Sequence, residues 1–425
     1  MSTLNPVVLA DDGKFDELET WPAEQLAAYQ LDRLREVVAH CAEIPGFYQE
    51  RWRKAGVGFD QLRTLDDLSD FPVVSKADLV AAGNRSQASR AGFSTRGTSG
   101  EPLVVWLDPG ELEAYLVPTM RGFWWAGLRQ GDTAMLLSPA WHRLAAMEGH
   151  AALRLGARPA YFWGTLDLPH IDDFLRFAVT ARPHFLSTTA PFLLAALRRL
   201  TETRESIPNV FETLRGISVV GMPLTPGLRA FMAERTGATV FERGGTQEGA
   251  ALDACEVGGP PHVHADVCHL EIVDELGAGV PDGVPGRLLV TKLVTSGSPA
   301  IRYDTGDIAV RSTDPCPCGR TLPRVRMLGR ADGRVAVSGR LISAWDIRSC
   351  VENNPDLVGR LVLPVRDANS QSDLLTVVVE GEAIHAHQLE AWLAEQLGVG
   401  GVRIIWLGAI RLRWGFRQVI DASEL

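Results

Sequence analysis

Lysine is nearly missing from this 425-residue chain: it stands at Lys14, Lys54, Lys76 and Lys292, and nowhere beyond. Positive charge is therefore almost all arginine, and acidic residues outnumber basic ones to give a formal net charge of -10. A chain of that sign has no general basic face with which to displace counterions, so neither nucleic acid nor an anionic membrane is an expected partner. Cysteine is sparse as well. Six in a chain this long do not make a disulfide scaffold, and they read as reduced thiols. No apolar run approaches the length that spans a bilayer, and MSTLNPVVLADDGKFDELET has no basic region followed by an apolar core, so the expected location is the cytosol. Internal repeats and low-complexity tracts are missing too. What is present is the composition of a soluble globular protein, 46% hydrophobic and 22% charged, long enough for two or three domains.

Readable chemistry is densest between Ile301 and Gly333. Tyr303 to Asp307 follows the apolar, strand-like run Gly286 to Val294 and reads as a tight polar turn at a strand end. A short acid presented there beside a glycine can accept both hydroxyls of a ribose. Cys316 and Cys318 come next, then Gly329-Arg330-Ala331-Asp332-Gly333, a glycine-flanked joint whose guanidinium can reach a phosphate. Upstream, Phe93 to Pro102 (FSTRGTSGEP) is a small, hydroxylated loop ahead of the strand Leu103 to Leu107. Its backbone N–H groups, with Thr95, Thr98 and Ser99, suit either a phosphate cradle or a plain surface loop. It is not a Walker A loop, because the Gly-Lys-Ser/Thr ending is missing.

Periodicity supplies the frame. Pro22 to Ile44 reads as an amphipathic helix. From Asp132 to Phe211, strands at Ala134–Leu137, Ala160–Trp163 and Phe185–Thr188 alternate with helices at Ala145–Leu155, His170–Arg182 and Ala190–Thr203, which predicts a parallel arrangement. A further unit runs from the strand Gly216–Val220 through the turn Gly221-Met222-Pro223 and the helix Thr225–Thr236 to the strand Thr239–Phe241. It delivers Glu242 to Glu248 as a second polar turn. Trp124, Trp125, Trp141, His142 and Trp163 lie near these turns and either line an aromatic pocket or fill the core. After Asp332, strands at Leu361–Val365, Leu374–Glu380 and Val402–Leu407 and helices at Ala344–Glu352 and Ala386–Leu397 form an α+β module of independent-domain size. The expected fold is α/β: a large N-terminal domain, 1-330, with parallel and mixed sheets, and a small α+β C-terminal domain, 331-425.

In this order the pieces resemble the adenylate-forming (ANL) enzymes, specifically the phenylacetate:CoA ligase branch. Phe93 to Pro102 looks like the family's phosphate loop, and Gly221-Met222-Pro223-Leu224 is similar to its Gly-Gly-Glu-Pro adenine turn. Arg302 to Asp307 resembles the ribose-binding Arg-Tyr-Xaa-Thr-Gly-Asp, and Pro315 to Arg330 resembles a Cys-Xaa-Cys-Gly-Arg-Thr stretch of that branch. The resemblance implies ATP and magnesium, an acyl-adenylate of a small aromatic acid, coenzyme A as default acceptor, a mobile C-terminal domain and a homodimer. It assigns Thr246, Glu248, Arg330 and Arg417 to catalysis, and Thr95, Gly97, Thr98, Ser99, Gly100, Gly221, Met222, Glu242, Arg243, Gly244 and Asp307 to the nucleotide. Trp141, His142 and Gly245 fall to the acid pocket.

Two departures stand out. Arg243-Gly244-Gly245-Thr246-Gln247 replaces Tyr-Gly-Xaa-Ser/Thr-Glu, so a guanidinium is expected to stack on adenine, and Glu248 to take over the magnesium-facing duty of the lost glutamate. Near the carboxy terminus the family's catalytic lysine falls on Gly415, with Arg413 and Arg417 as partial substitutes. Losing one such donor typically costs about 3 kcal/mol of transition-state stabilisation. Two other functions are therefore expected as alternatives: a diazotase that activates nitrite to form an N–N bond on an aminoaryl acid, and a non-catalytic nucleotide-binding relic.

Cys255, His262, Cys316 and Cys318 offer three sulfurs and one nitrogen, a set suited to tetrahedral zinc, and similar residues bind zinc in the branch the chain resembles. His264 and Cys268 share the strand face of His262 by parity, which leaves the fourth ligand open.

Overall fold

Local caps start the helices where periodicity expects them. Ser343 accepts the backbone N–H of Asp346 while Asp346 reaches back to Ser343, closing a capping box on Ala344–Val351. Asp108 caps Pro109–Trp125 by accepting Glu111 N at 2.9 Å, with Pro109 in the first turn. Sequence patterning gave no helix at Pro109–Trp125, because Pro118 lies in its interior. The computed structural model describes residues 14–43, 46–82, 91–95, 102–138, 142–162, 170–202, 210–366, 373–408 and 419–422. None of the described helices is long and apolar enough to cross a membrane.

Packing divides the chain into two compact units that do not follow chain order. The first gathers Met1–Asp132, Ser138–Pro159 and Arg243–Met327; the second gathers Thr133–Leu137, Ala160–Glu242 and Leu328–Leu425. The last passage between them falls just before the glycine-flanked joint at Gly329.

In the second unit, Phe185–Thr189 lies parallel to both Thr133–Leu136 and Gly216–Val220. Every residue of Phe185–Thr189 and of Gly216–Val220 is buried, as parallel strands covered on both faces require. The C-terminal strands order as Gly401–Leu407, Leu374–Glu380, Val362–Arg366 and Ile420–Asp421. Leu363 and Val378 join Met135, Phe174 and Leu228 in one apolar cluster, so the C-terminal residues pack with residues 160–242 in a single unit.

In the first unit, Gly286–Lys292 pairs antiparallel with Cys268–Val273 on one side and Tyr303–Arg311 on the other. Here the structure corrects the expected polar turn. Tyr303–Arg311 is a continuous strand, and its register against the neighbour jumps from Leu289↔Asp304 to Arg287↔Ile308. Thr305, Gly306 and Asp307 therefore oppose Leu288 alone, a bulge that Gly306 makes possible at φ 73°. The second expected turn moves as well. Thr239–Gly245 is a single strand whose last three residues pair with Ala251–Asp253, so the reversal comes at Thr246 to Gly249.

Candidate functional site

Arg302 fixes the bulged strand from beneath. Its backbone is left-handed at φ 47°, a conformation that costs a non-glycine residue on the order of 1 kcal/mol. Its side chain offsets that cost. The buried guanidinium donates to Glu271, to the carbonyls of Ser69 and Phe71 at 2.7 Å each, and to Gly277 O at 2.8 Å. Val74 adds backbone bonds to Arg302 and Asp304, so the segment ahead of the helix Lys76–Ala81 holds the acidic motif in place. Within the motif, Asp304 pairs with Arg287 at 2.6 Å, whereas buried Asp307 stands at the end of the bulge.

Opposite lies the Thr246–Gly249 reversal. Thr246 closes it by accepting the N–H of Gly249 at its carbonyl and that of Ala250 at its hydroxyl. Gly249 must be glycine: at φ 141°, an added Cβ would sit 2.7 Å from Lys292 Cγ and 3.0 Å from Tyr115 Oη. Gly245, at φ 147°, would drive a Cβ to 2.4 Å from Ala250 O. Glu248 accepts the Tyr303 hydroxyl at 3.1 Å, tying the reversal to the acidic strand. Gln247 donates to Ser94 O at 3.0 Å, and Thr95 follows with Leu103 bonded to both its backbone and its hydroxyl. The root of the hydroxylated loop, the reversal and the acidic strand thus meet in one patch of the first unit. Gly97, Thr98, Ser99, Gly100, Trp141, Trp163, Arg413, Gly415 and Arg417 lie outside the described residues.

The structure corrects the expected role of Arg243 as an adenine platform. Its guanidinium is buried 4.9 Å over the Phe123 ring, 3.3 Å from Asp253 and 3.7 Å from Glu148. From Asp253 the charged chain continues through His264 at 2.7 Å to Arg121, which pairs with Asp16 and Asp266. Gly122 makes room for it, since a Cβ there would lie 2.2 Å from Asp253 Oδ2. Glu148 also accepts the Ser138 hydroxyl. His142 Nδ1 accepts Leu144 N at 3.2 Å at the start of Arg143–Arg154. Burial, with Arg143 and Arg243 nearby, pushes the His142 pKa down to about 3, so the ring is neutral with its proton assigned to Nε2. Sequence reasoning missed Arg143, Glu148, Asp253, Glu111 and Lys292. One signal was available for Lys292, a lone lysine closing an apolar strand in a chain almost without lysine.

In the second unit, Glu242 Oε2 accepts Leu224 N at 3.1 Å and braces the Gly221-Met222 turn, where Gly221 takes φ 92°. Arg330 lies 3.5 Å from Asp332.

The expected metal ligands converge. Ligand atoms of Cys255, His262, Cys316 and Cys318 all lie within 4.8 Å of one another. Cys255 and Cys316 sulfurs are 3.6 Å apart, and Cys318 Sγ is 3.4 Å from His262 Nε2. Tetrahedral zinc with its usual bond lengths sets roughly 3.8 Å between two sulfurs and roughly 3.6 Å between sulfur and nitrogen, so the set fits that ion. His262 Nδ1 lies 3.1 Å from Leu322 O, the outer contact that orients a ligating imidazole. Burial lowers the His262 pKa to about 4 and keeps the ring neutral. Burial, then the neighbouring Cys318, pushes Cys255 up to about 12. Burial also acts to raise Cys316, but hydrogen bonds from Cys318 outweigh it and the thiol is lowered. His264 is excluded as the fourth ligand by its bonds to Asp253 and Arg121, and Cys268 points to His264 O. Trp125 stacks on His264 and meets His262 edge-on, so it fills the core rather than lining a pocket.

In fold the chain is similar to CoA ligases of known structure. The sequence profile of the AMP-binding enzyme family matches residues 95–296, and the chain carries a domain of that superfamily with phenylacetate-coenzyme A ligases among its homologues. It is 28% identical over 415 residues to phenylacetate-coenzyme A ligase of Aromatoleum evansii, covering 92% of this chain and 91% of that one. The corresponding enzyme of Thermus thermophilus is 28% identical over 371 residues, covering 82% and 80%. Among solved structures, a 2-hydroxyisobutyryl-CoA ligase in the postadenylation state superposes with a TM-score of 0.87 at 22% identity, over 100% of this chain and 95% of that one, a likeness of fold.

Proposed function

We propose that this protein activates a small aromatic carboxylic acid with ATP and transfers the acyl group to coenzyme A. A carboxylate oxygen attacks the α-phosphorus and the bond to pyrophosphate breaks, giving the acyl-adenylate. The thiol of coenzyme A then attacks the acyl carbon, AMP leaves and the thiol proton is released. The observation that carries the reading is the pair of contacts Gln247–Ser94 and Tyr303–Glu248, which bring the loop root and the acidic strand to one reversal. The phenylacetate-coenzyme A ligase relatives support the aromatic acid and the acceptor.

In this reading Asp307 accepts the ribose hydroxyls, and the Gly221-Met222 turn seats the adenine. Glu248, oriented by Tyr303, holds magnesium, which neutralises polyphosphate charge when bound. Gln247 cannot do so, because its amide is committed to Ser94 and to Arg143 N. Thr246 keeps the reversal closed, and Arg330 and Arg417 supply positive charge in place of the lysine lost at Gly415. Residues 331–425 pivot at the glycine-flanked joint. Zinc at Cys255, His262, Cys316 and Cys318 is structural, with four protein ligands and no open position.

The test combines the protein with ATP, a panel of aryl acids and coenzyme A, with AMP release and product mass as readouts; a parallel arm supplies nitrite and aminoaryl acids. Thioester formed in step with AMP supports the proposal. Coupled N–N product in the nitrite arm alone, or no binding of ATP or AMP by calorimetry, overturns it.

A further inference from the structure

Arg143 is a buried cation with no ion pair among the described residues. It is 4% exposed, and among the described residues no carboxylate lies within ion-pair distance of its guanidinium. Nη2 donates to Ala250 O at 3.2 Å, and the guanidinium carbon stands 4.3 Å from the centre of the Tyr115 ring. Nε and Nη1 are buried and have no acceptor among the described residues. A cation–π contact and one carbonyl offset only part of what it costs to strip water from a guanidinium. Arg243 adds another buried donor, Nη1, that makes no hydrogen bond, although its charge is balanced by Asp253 and Glu148. His142 between them is neutral and adds no negative charge. Buried guanidinium donors that lack acceptors, on a cation that has no ion pair among the described residues, form a receptor for an anion.

Which anion follows from what must stay charged. The reacting carboxylate loses its charge on becoming an ester of AMP, whereas Arg143 remains a cation throughout. The polyphosphate of ATP arrives with magnesium and its waters. Arg143 instead lies over Tyr115 in the apolar cluster that also contains Met147 and Ala250. We infer that Arg143, assisted by Nη1 of Arg243, receives a second, non-reacting carboxylate on the substrate acid, so that the preferred substrates are dicarboxylic acids. The inference rests on the adenylate-forming reading above and narrows its substrate.

The experiment is calorimetric titration of the full chain, saturated with AMP, with matched acids: benzoate against isophthalate and terephthalate, phenylacetate against 4-carboxyphenylacetate, butyrate against glutarate. In at least one pair the dicarboxylate binds tighter by about tenfold or more, the worth of one charge-assisted buried contact. Arg143→Met abolishes that preference, leaves AMP affinity in place and does not lower the thermal midpoint, because it removes a buried cation that has no ion pair among the described residues. Arg143→Lys, which keeps the charge but loses the fork, retains part of the preference. Equal binding within every pair, a preference that survives Arg143→Met, or a lowered midpoint with unchanged acid selectivity overturns the inference. Failure of the wild-type protein to bind AMP sinks the adenylate reading and this one together; AMP binding without a dicarboxylate preference sinks this one alone.

Discussion

Replacing Glu111 by Gln tests how the first unit is held together under its reversal. Glu111 and Lys292 are both 0% exposed, with Nζ 2.6 Å from Oε1. Lys292 Nζ also donates to Ser298 O at 2.9 Å, and Ser296 Oγ donates to the second carboxylate oxygen. Gln keeps the shape but only one acceptor oxygen, which serves either Lys292 Nζ or Ser296 Oγ, and it leaves a buried ammonium with no counter-charge. Breaking a buried pair in this way costs about 3–5 kcal/mol, and the surviving hydrogen bonds place Glu111→Gln near 3 kcal/mol. The double variant Glu111→Leu/Lys292→Met removes both charges and should fall within about 1–2 kcal/mol of wild type, giving a coupling energy of at least about 2 kcal/mol. Urea unfolding followed by tryptophan fluorescence measures all four corners of the cycle. A loss below about 1 kcal/mol for Glu111→Gln would refute the argument, since it would mean the ammonium is hydrated or deprotonated rather than neutralised by its partner.

Metal analysis of protein purified without chelator should find about one zinc per chain, lost with a lower thermal midpoint in Cys318→Ser; unchanged metal content would remove the assignment. Gly249→Ala should destabilise by about 1–3 kcal/mol and weaken AMP binding, because its Cβ collides with the Lys292 stem; a neutral variant would show that the reversal is loosely held. His142 stays neutral in the folded state down to about pH 3, whereas in the unfolded chain it takes up a proton below about pH 6.5. Its contribution is therefore intact above that value and is lost as pH falls, at up to about 1.4 kcal/mol per pH unit. Comparing urea midpoints at pH 7 and pH 5, His142→Asn should flatten the slope. Asp307→Ala should abolish nucleotide binding and Gly415→Lys should raise acyl-adenylate formation, both read by calorimetry and AMP release; unchanged values count against the ribose and lysine assignments.

Elements governed by local period were legible. Gly216–Val220, Leu374–Glu380 and Ala386–Leu397 keep their expected bounds, because an apolar run or a helical stripe carries its own signal. The convergence of Cys255, His262, Cys316 and Cys318 was legible because thiols are scarce and two of them stand on one short loop. Parity could not choose between His262 and His264. His264 is engaged instead by Asp253, eleven residues away, and by Arg121, from a distant part of the chain. The helix through Pro118 was hidden by a residue that normally ends helices. Both misplaced turns were strands whose extent is set by pairing with a neighbouring strand, Ala251–Asp253 in one case and the bulge opposite Leu288 in the other, rather than by their own residues. Arg143 looked like an ordinary residue at a helix start, since only tertiary packing reveals that it is buried with no ion pair among the described residues.

Interleaving of the two units constrains how this protein is made. The chain leaves the first unit after Asp132 and again after Pro159, and departs for good only after Met327. A ribosome must therefore deliver most of the sequence before the first unit has all its strands, and the second unit is still waiting for its last segment. No single cut in the gene releases either unit whole, so fragments ending between them expose unfinished sheet edges and call for chaperone protection rather than folding as autonomous pieces.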